Sequence, residues 1–260
     1  MAETSAKGSG TGGVQSLKRA FTLLECIADA GGEVGLSQLA QDSGLPLPTI
    51  HRLLRTLVNQ GYVRQQPSRR YALGPRLIRL GENASRQVGS WARPYLVKLV
   101  EEIGETANMA MLDGDEVVYV AQAPSQHYSM RMFTEVGRRV SPHCTAVGKA
   151  LLALLPPATV RDILARIGMP RQTEHTITDP DVLLAELERI REQGYAVDNG
   201  EQEIGVRCVA VAVPDAPTLT AVSISGPEGR MTDQLFERAI PLLKRTAQDL
   251  AAEFSYATSS

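Results

Sequence analysis

Residues 44–60 read GLPLPTIHRLLRTLVNQ, a run in which glycine and proline are followed by an amphipathic pattern. Pro48 suits the first turn of a helix, where its missing amide hydrogen would have no helical partner. The spacing predicts a helix over 49–60 with one buried face. That face consists of Ile50, Leu53, Leu54, Leu57 and Val58. The exposed face carries Thr49, His51, Arg52, Arg55 and Thr56.

The segments on either side of this helix extend the pattern. Apolar residues at three- and four-residue spacing predict two helices upstream, over 14–30 and 36–43. Downstream, two short strands are expected, and the polar loop between them ends in Arg69 and Arg70. Helix, short helix, turn, helix and hairpin in this order predict a winged helix-turn-helix domain.

A winged helix-turn-helix domain predicts contact with double-stranded DNA. The major groove admits one α-helix, and residues near the N-terminus of that helix reach base edges. The predicted contacts are Pro48, Thr49, His51, Arg52 and Arg55 from the helix, and Arg69 and Arg70 from the wing. His51 fits a capping or packing role equally well. Residues 1–76 carry nine Lys and Arg against five Asp and Glu, which also favours a polyanionic partner.

The whole chain has 260 residues, of which 43% are hydrophobic, and a formal net charge of −2. This length and composition indicate a globular protein of one large or two ordinary domains. No apolar run approaches the ~18 residues of a membrane helix, and residues 1–13 lack a secretory signal. The three cysteines, Cys26, Cys144 and Cys208, form no disulfide framework, which fits a cytoplasmic protein.

Beyond the first domain, helical and strand patterns alternate in groups. Helices are expected over 75–89, 91–103, 145–155, 179–194 and 232–254. Strands are expected over 107–112, 116–123, 130–133, 196–199, 205–213 and 219–225. Strands are grouped at both ends of this second region, around central helices, and this order predicts an α+β domain with a largely antiparallel sheet. The expected organisation is a flexible tail over 1–13, the winged domain over 14–74, a linker helix over 75–89 and a second domain over 90–255.

Five stretches in order resemble the IclR family of bacterial transcriptional regulators. They are Val14–Ala20 (VQSLKRA), Leu45–Leu57 (LPLPTIHRLLRTL), Ala146–Leu152 (AVGKALL), Gly194–Asp198 (GYAVD) and Val222–Pro227 (VSISGP). The resemblance implies an N-terminal winged helix-turn-helix, a helical linker and a C-terminal GAF/PAS-like effector domain. It also implies a repressor without cofactor, metal or catalytic residues, which binds operator DNA as a homodimer or homotetramer.

Within the family, the chain resembles most the allantoin- and glyoxylate-responsive repressors. This implies a small-molecule effector, with glyoxylate or a related small carboxylate as the leading candidate. The implied contacts are the backbone at Ala146 and Val147, the wall at Met132 and Val206, and polar groups of Asp198, Cys208, Ser223 and Ser225. The glyoxylate-binding branch usually has Gly-Ala where this chain has Ala146-Val147, and the extra methyl groups reshape the anion site.

Elementary chemistry is consistent with a carboxylate pocket at these positions. A helix that begins at Ala146 offers free amides and a partial positive charge to an anion. Ser223 and Ser225 are two residues apart on a strand, so their hydroxyls face the same side. Asp198 can accept a hydrogen bond from a hydroxyl, such as that of a hydrated aldehyde. Without the resemblance, Cys208 fits a small buried hydrophobe equally well.

Three other functions remain open at this point. A metal-binding sensor could use His127, His143, Cys144 or Cys208, although their spacing matches no recurrent zinc motif. A cysteine-dependent hydrolase could combine Cys208 with His143 and Asp198, but no nucleophile motif surrounds that cysteine. The second domain could also be a purely structural body that binds no ligand.

Overall fold

The computed structural model describes residues 14–125 and 134–257. The chain divides into two compact units, one up to residue 84 and one from residue 85. This boundary falls within the helix Arg76–Val88, at the place where the sequence predicts a linker. The expected tail over 1–13 lies outside the described residues. No helix in the described ranges is long and apolar enough to span a membrane.

The first unit is a winged helix-turn-helix. Its helices are α1 (Gln15–Asp29), α2 (Leu36–Ser43) and α3 (Leu47–Asn59), and its strands are β1 (Glu33–Val34), β2 (Val63–Gln65) and β3 (Tyr71–Leu73). The strands form an antiparallel sheet in the order β1-β3-β2. The helices pack together through a core that contains Leu23, Ile27, Leu39, Ile50 and Leu54.

Strand β1 is the element of this unit that the sequence did not reveal. It has only two residues, Glu33 and Val34, which pair with Ala72 and Tyr71 of β3. Two residues are too few to show the alternating pattern that identifies a strand. Helix α3 begins at Leu47, two residues earlier than predicted, and Pro48 lies in its first turn as expected.

The second unit contains the remaining elements. Its helices are α4 (Arg76–Val88), which crosses the boundary, α5 (Arg93–Ile103), α6 (Ala146–Leu152), α7 (Pro157–Ile167), α8 (Pro180–Gln193) and α9 (Asp233–Ala257). Its strands are β4 (Thr106–Asp113), β5 (Glu116–Ala123), β6 (Arg139–Val140), β7 (Ala196–Asn199), β8 (Val206–Ala212) and β9 (Thr220–Pro227). Short 3-10 turns cover Ser90–Ala92 and Pro142–Cys144.

The strands of the second unit form one six-stranded sheet in the order β6-β5-β4-β9-β8-β7. Every neighbouring pair is antiparallel, which confirms the predicted α+β class with an antiparallel sheet. One sheet face packs against α5 and α9 through residues such as Met109, Val222 and Leu243. The other face packs against α6 and α8 through residues such as Leu151 and Leu187. The sheet is thus the middle of three layers.

Two of the predicted helices, those over 145–155 and 179–194, are preceded by side-chain caps in the structure. The Thr145 hydroxyl accepts a hydrogen bond from the Gly148 amide at 3.2 Å, so this residue caps α6. Asp179 caps α8 by accepting from the amides of Asp181 and Val182 at 2.8 and 3.2 Å. Gly194 ends α8 with a φ of 76°, a conformation that favours glycine.

Helix α7 was not predicted from the sequence. The preceding helix, predicted over 145–155, already ends at Leu152 in the structure. Pro157 instead occupies the first turn of α7, where a proline costs no hydrogen bond. The two-residue strand β6 was also missed. The strand expected over 130–133 lies outside the described residues.

Candidate functional site

The exposed side of α3 borders a groove of about 500 Å³ in the first unit. Its lining consists of Pro48, His51, Arg52, Arg55, Val58, Asn59, Gln65 and Tyr71. The first four were predicted as DNA contacts, and Thr49 lies half-buried beside them. Asn59, Gln65 and Tyr71 were not predicted. Asn59 follows Arg55 by four residues and therefore shares its helix face, a signal that was available in the sequence.

The two arginines of the wing differ in their surroundings. Arg69 is exposed and has a φ of 63°, so the chain turns sharply at this residue. Arg70 is bound to Glu33 of β1: its Nε lies 3.0 Å from the carboxylate, and its Nη2 donates to the backbone carbonyl at 3.0 Å. The side chains of this pair are 50% and 44% exposed, so the pair adds little stability but partly neutralises Arg70.

The second unit contains a small cavity between the start of α6 and the polar face of the sheet. The cavity volume is about 30 Å³. Its lining consists of Tyr119, Thr134, Val140, Thr145, Ala146, Asp198, Gln202, Glu203, Val206, Cys208 and Ser225. Five of the eight predicted effector residues therefore come together here: Ala146, Asp198, Val206, Cys208 and Ser225.

The other three predicted residues do not line this cavity in the structure. Val147 is fully buried in the apolar layer between α6 and the sheet. Ser223 is also fully buried, and its hydroxyl lies beside the Cys208 thiol. Met132 lies outside the described residues. Ser223 shares a strand face with Ser225 but lies two residues before it in β9.

Asp198 is the buried acid of the cavity wall. Its Oδ1 accepts a hydrogen bond from the Glu201 amide at 2.7 Å. Burial, followed by the charge of Glu201, raises the pKa of Asp198 to about 7. Near neutral pH the Asp198 carboxyl is therefore protonated in about half of the molecules, and this reduces its repulsion of an anionic ligand.

The chemistry of Cys208 does not suit a nucleophile. Burial, followed by the neighbouring Asp198 charge, raises the pKa of its thiol far above the ordinary value. The reactive form of cysteine is the thiolate, which is scarce at such a pKa. Nε2 of His143 lies 3.2 Å from the Pro170 carbonyl, and no contact joins this ring to Cys208 in the described residues. The triad considered from the sequence is thus not assembled.

A metal site was the other alternative. Among the described residues, no three His, Cys, Asp or Glu side chains are grouped to hold a metal ion. His127 lies outside these residues. Cys144 instead has a local partner, since its Sγ lies 3.0 Å from Oε1 of Gln202.

The segment 200–203 covers the cavity and is fastened by several polar contacts. Nζ of the fully buried Lys149 lies 2.5 Å from the Glu201 carboxylate. Thr173 and Thr176 donate to the carbonyls of Gly200 and Glu201 at 2.6 and 2.7 Å. These contacts hold Gln202 and Glu203, which the sequence analysis did not identify, on the cavity wall.

Comparison with known proteins gives matches over both units. A family model described as the IclR helix-turn-helix domain matches residues 16–67, and one described as bacterial transcriptional regulator IclR C-terminal matches residues 83–252. The transcriptional repressor IclR of Escherichia coli strain K12 is 40% identical over 235 residues, which cover 88% of this chain and 85% of the relative.

Two solved structures resemble the fold. The IclR transcriptional regulator from Alicyclobacillus acidocaldarius has a TM-score of 0.78 at 30% identity, covering 92% of this chain and 98% of the other. A double mutant of the PobR inducer-binding domain from Acinetobacter, solved with 3-hydroxybenzoic acid, has a TM-score of 0.58 at 31% identity. This match covers 62% of the present chain and 95% of the PobR domain.

Proposed function

Because the chain belongs to the IclR family of DNA-binding transcriptional regulators, we propose that it is a cytoplasmic repressor whose operator binding responds to a small carboxylate. The observation that carries the proposal is the small cavity at the start of α6, which Asp198, Cys208 and Ser225 line together. Ligand sites in proteins are typically concave and contain a few convergent polar groups. The PobR relative, whose inducer-binding domain was solved with an aromatic acid, supports an effector of acidic character.

The size of the cavity favours a ligand of few atoms. A volume of about 30 Å³ holds only about two water molecules, so a larger acid requires the walls to move apart. Glyoxylate, one of the smallest oxo acids, is the candidate of choice, and because it is larger than two water molecules it also requires the walls to move apart. Its carboxylate would face the amides at Ala146 and Val147 or the Ser225 hydroxyl, and a hydroxyl of its hydrate would donate to Asp198.

The choice of glyoxylate rests on motifs rather than on overall similarity. The stretches Met130–Met132, Gly205–Cys208 and Ser223–Pro227 carry the resemblance to the allantoin- and glyoxylate-responsive branch. Overall identity does not single out that branch, because the E. coli repressor IclR is at least as similar as its members. An allantoin-pathway intermediate is therefore included in the test.

The experiment measures operator binding with and without effector. DNA fragments selected by the full chain from a random-sequence pool are titrated by fluorescence anisotropy in the presence of glyoxylate, pyruvate, allantoin or allantoate. We expect protection of one defined site in footprints and a change of affinity with at least one small carboxylate. An affinity that none of these compounds alters would contradict the effector half of the proposal.

We also propose that the DNA-binding form is a homodimer, with the homotetramer as its higher assembly. Leu17 and Phe21 of α1 are 57% and 61% exposed, and Ile78 of α4 is 61% exposed. Leu17 and Phe21 lie one helical turn apart and form one exposed apolar patch, and contiguous patches of this kind mark association surfaces. Phe21→Glu should produce a monomer in light scattering, whereas Val182→Glu on α8 should not. Unchanged mass in the first variant would place the dimer contact elsewhere.

A further inference from the structure

A directed chain of hydrogen bonds runs along the sheet face next to the cavity. Nε2 of Gln122 lies 2.7 Å from both the carbonyl and the hydroxyl oxygens of Thr134 and 3.1 Å from Oδ1 of Asn108. Nδ2 of Asn108 in turn donates to Oγ of Ser225 at 3.0 Å. Asn108 is fully buried, so water does not compete for these bonds.

The direction of this chain follows from its first member. A backbone carbonyl can only accept, so the end of Gln122 that faces Thr134 must be the amide nitrogen. The same nitrogen donates its other hydrogen to Asn108, which must therefore present its oxygen on that side. The nitrogen of Asn108 then points to Ser225 and must donate to it.

The consequence for Ser225 concerns its proton. The hydroxyl oxygen accepts from Asn108 and, within the described part of the chain, Ser225 donates no side-chain hydrogen bond. Ser225 also lines the cavity. Its proton is therefore available to a ligand, while one of its lone pairs is already occupied.

We propose that Asn108, oriented by Gln122, is a specificity-determining positioning residue that fixes Ser225 as a hydrogen-bond donor toward the cavity. The site then favours ligands that present a carboxylate or carbonyl oxygen at Ser225, because the hydroxyl proton can be donated there while Asn108 occupies one of the two lone pairs. This inference rests on the proposed function only for the placement of a ligand in this cavity.

The test reverses the direction of the hydrogen bond between Asn108 and Ser225 with a nearly isosteric substitution. In Asn108→Asp, the ionised carboxylate can only accept, so it takes the Ser225 proton and turns it away from the cavity. Calorimetric titration of the full chain with glyoxylate at pH 8 should show an affinity lower by ten- to hundredfold, on the order expected for a lost hydrogen bond to a charged group. Asn108→Leu removes the donor without reversing it and should cost less.

Two further variants separate this role from simpler ones. Gln234→Glu adds the same charge on the exposed face of α9 and should leave glyoxylate affinity unchanged. In the Ser225→Ala background, Asn108→Asp should cause little additional loss, because its effect passes through the hydroxyl. Full additivity of the two losses would show that Asn108 acts by charge alone and would overturn the proposal.

A measurement without ligand or substitution keeps the inference testable on its own. If the wild-type chain binds no small carboxylate, the proposed effector is wrong. The hydrogen bonds from Gln122 through Asn108 to Ser225 can still be tested in the unliganded protein. The side-chain amide protons of Asn108, observed by ¹⁵N NMR in the unliganded protein, should exchange with solvent far more slowly than those of exposed asparagines. Fast exchange at Asn108 would overturn the proposal whether or not the variants fold.

Discussion

Asp198 combines deep burial with a structural hydrogen bond and a neighbouring carboxylate. Its pKa of about 7 in the folded chain lies well above the ordinary value near 3.9. Between these two values the unfolded chain loses this proton while the folded chain keeps it, so stability falls as the pH rises. Above about pH 7 the penalty is fully present. The raised pKa of Asp198 therefore lowers the stability of the folded chain at neutral and alkaline pH.

Asp198→Asn should remove this penalty while keeping an acceptor for the Glu201 amide. We expect the variant to be more stable than wild type by on the order of 1–3 kcal/mol at pH 8, and by much less at pH 5. Thermal unfolding of both proteins across this pH range measures the difference. A stabilisation that is equal at both ends of the range would mean that Asp198 is not the titrating group.

At the scale of the element, α3 presents its basic residues toward the groove that we assign to DNA. Arg52→Ala should weaken operator binding by about 1–3 kcal/mol and relax specificity at one base pair. Arg52→Lys is the matched control, because lysine keeps the charge but lacks the planar fork that reads guanine. If the lysine variant binds like wild type, Arg52 contacts a phosphate and not a base edge.

The wing is a second element whose two arginines should act unequally. Each phosphate contact contributes roughly −0.9 to the slope of log affinity against log salt concentration. Arg69→Ala should make this slope shallower by about one such contact, whereas Arg70→Ala should change it less because Glu33 partly neutralises that charge. Lys98→Ala on α5 is the control outside the first unit. Equal changes in the two wing variants would show that the Glu33 pair opens when DNA binds.

Elements with strong local signals were predictable, and those that depend on tertiary pairing were not. The side chains of Thr145 and Asp179 cap the helices that follow them, through hydrogen bonds to amides within three residues. Strand β1 exists only because β3 pairs with it, and its discovery changes the role expected for Arg70. The family resemblance named five residues that line the cavity, and three of them, Ala146, Asp198 and Ser225, lie within its short contiguous stretches.

The remaining part of the cavity depends on contacts between distant segments. Asn108 and Ser225 are 117 residues apart along the chain and meet because β4 and β9 are neighbours in the sheet. No local pattern marks a buried amide as the partner of a particular hydroxyl. The same holds for Lys149 and Glu201, 52 residues apart, whose pairing fastens the covering segment. Side-chain chemistry of this kind follows from topology, which composition and periodicity do not specify.

At the scale of the whole molecule, the proposed switch couples two sites in separate compact units. If glyoxylate changes operator affinity by some factor, operator DNA must change glyoxylate affinity by the same factor, because both follow one thermodynamic cycle. Couplings of this type are typically ~1–3 kcal/mol. The two factors are measured independently, by anisotropy for the operator and by calorimetry for glyoxylate, each with and without a saturating amount of the other ligand.

A pair of variants tests whether the cavity transmits this coupling. Ser225→Ala combined with Asp198→Asn should abolish the glyoxylate response and leave unliganded operator binding near wild type, since neither residue belongs to the first unit. Ser223→Ala is the matched control: it removes a hydroxyl on the same strand face that does not line the cavity, so the response should persist. A double variant that still responds fully would place the effector site elsewhere. A response lost only in Ser223→Ala would mean that the ligand lies deeper along β9 than the cavity extends in the unliganded chain.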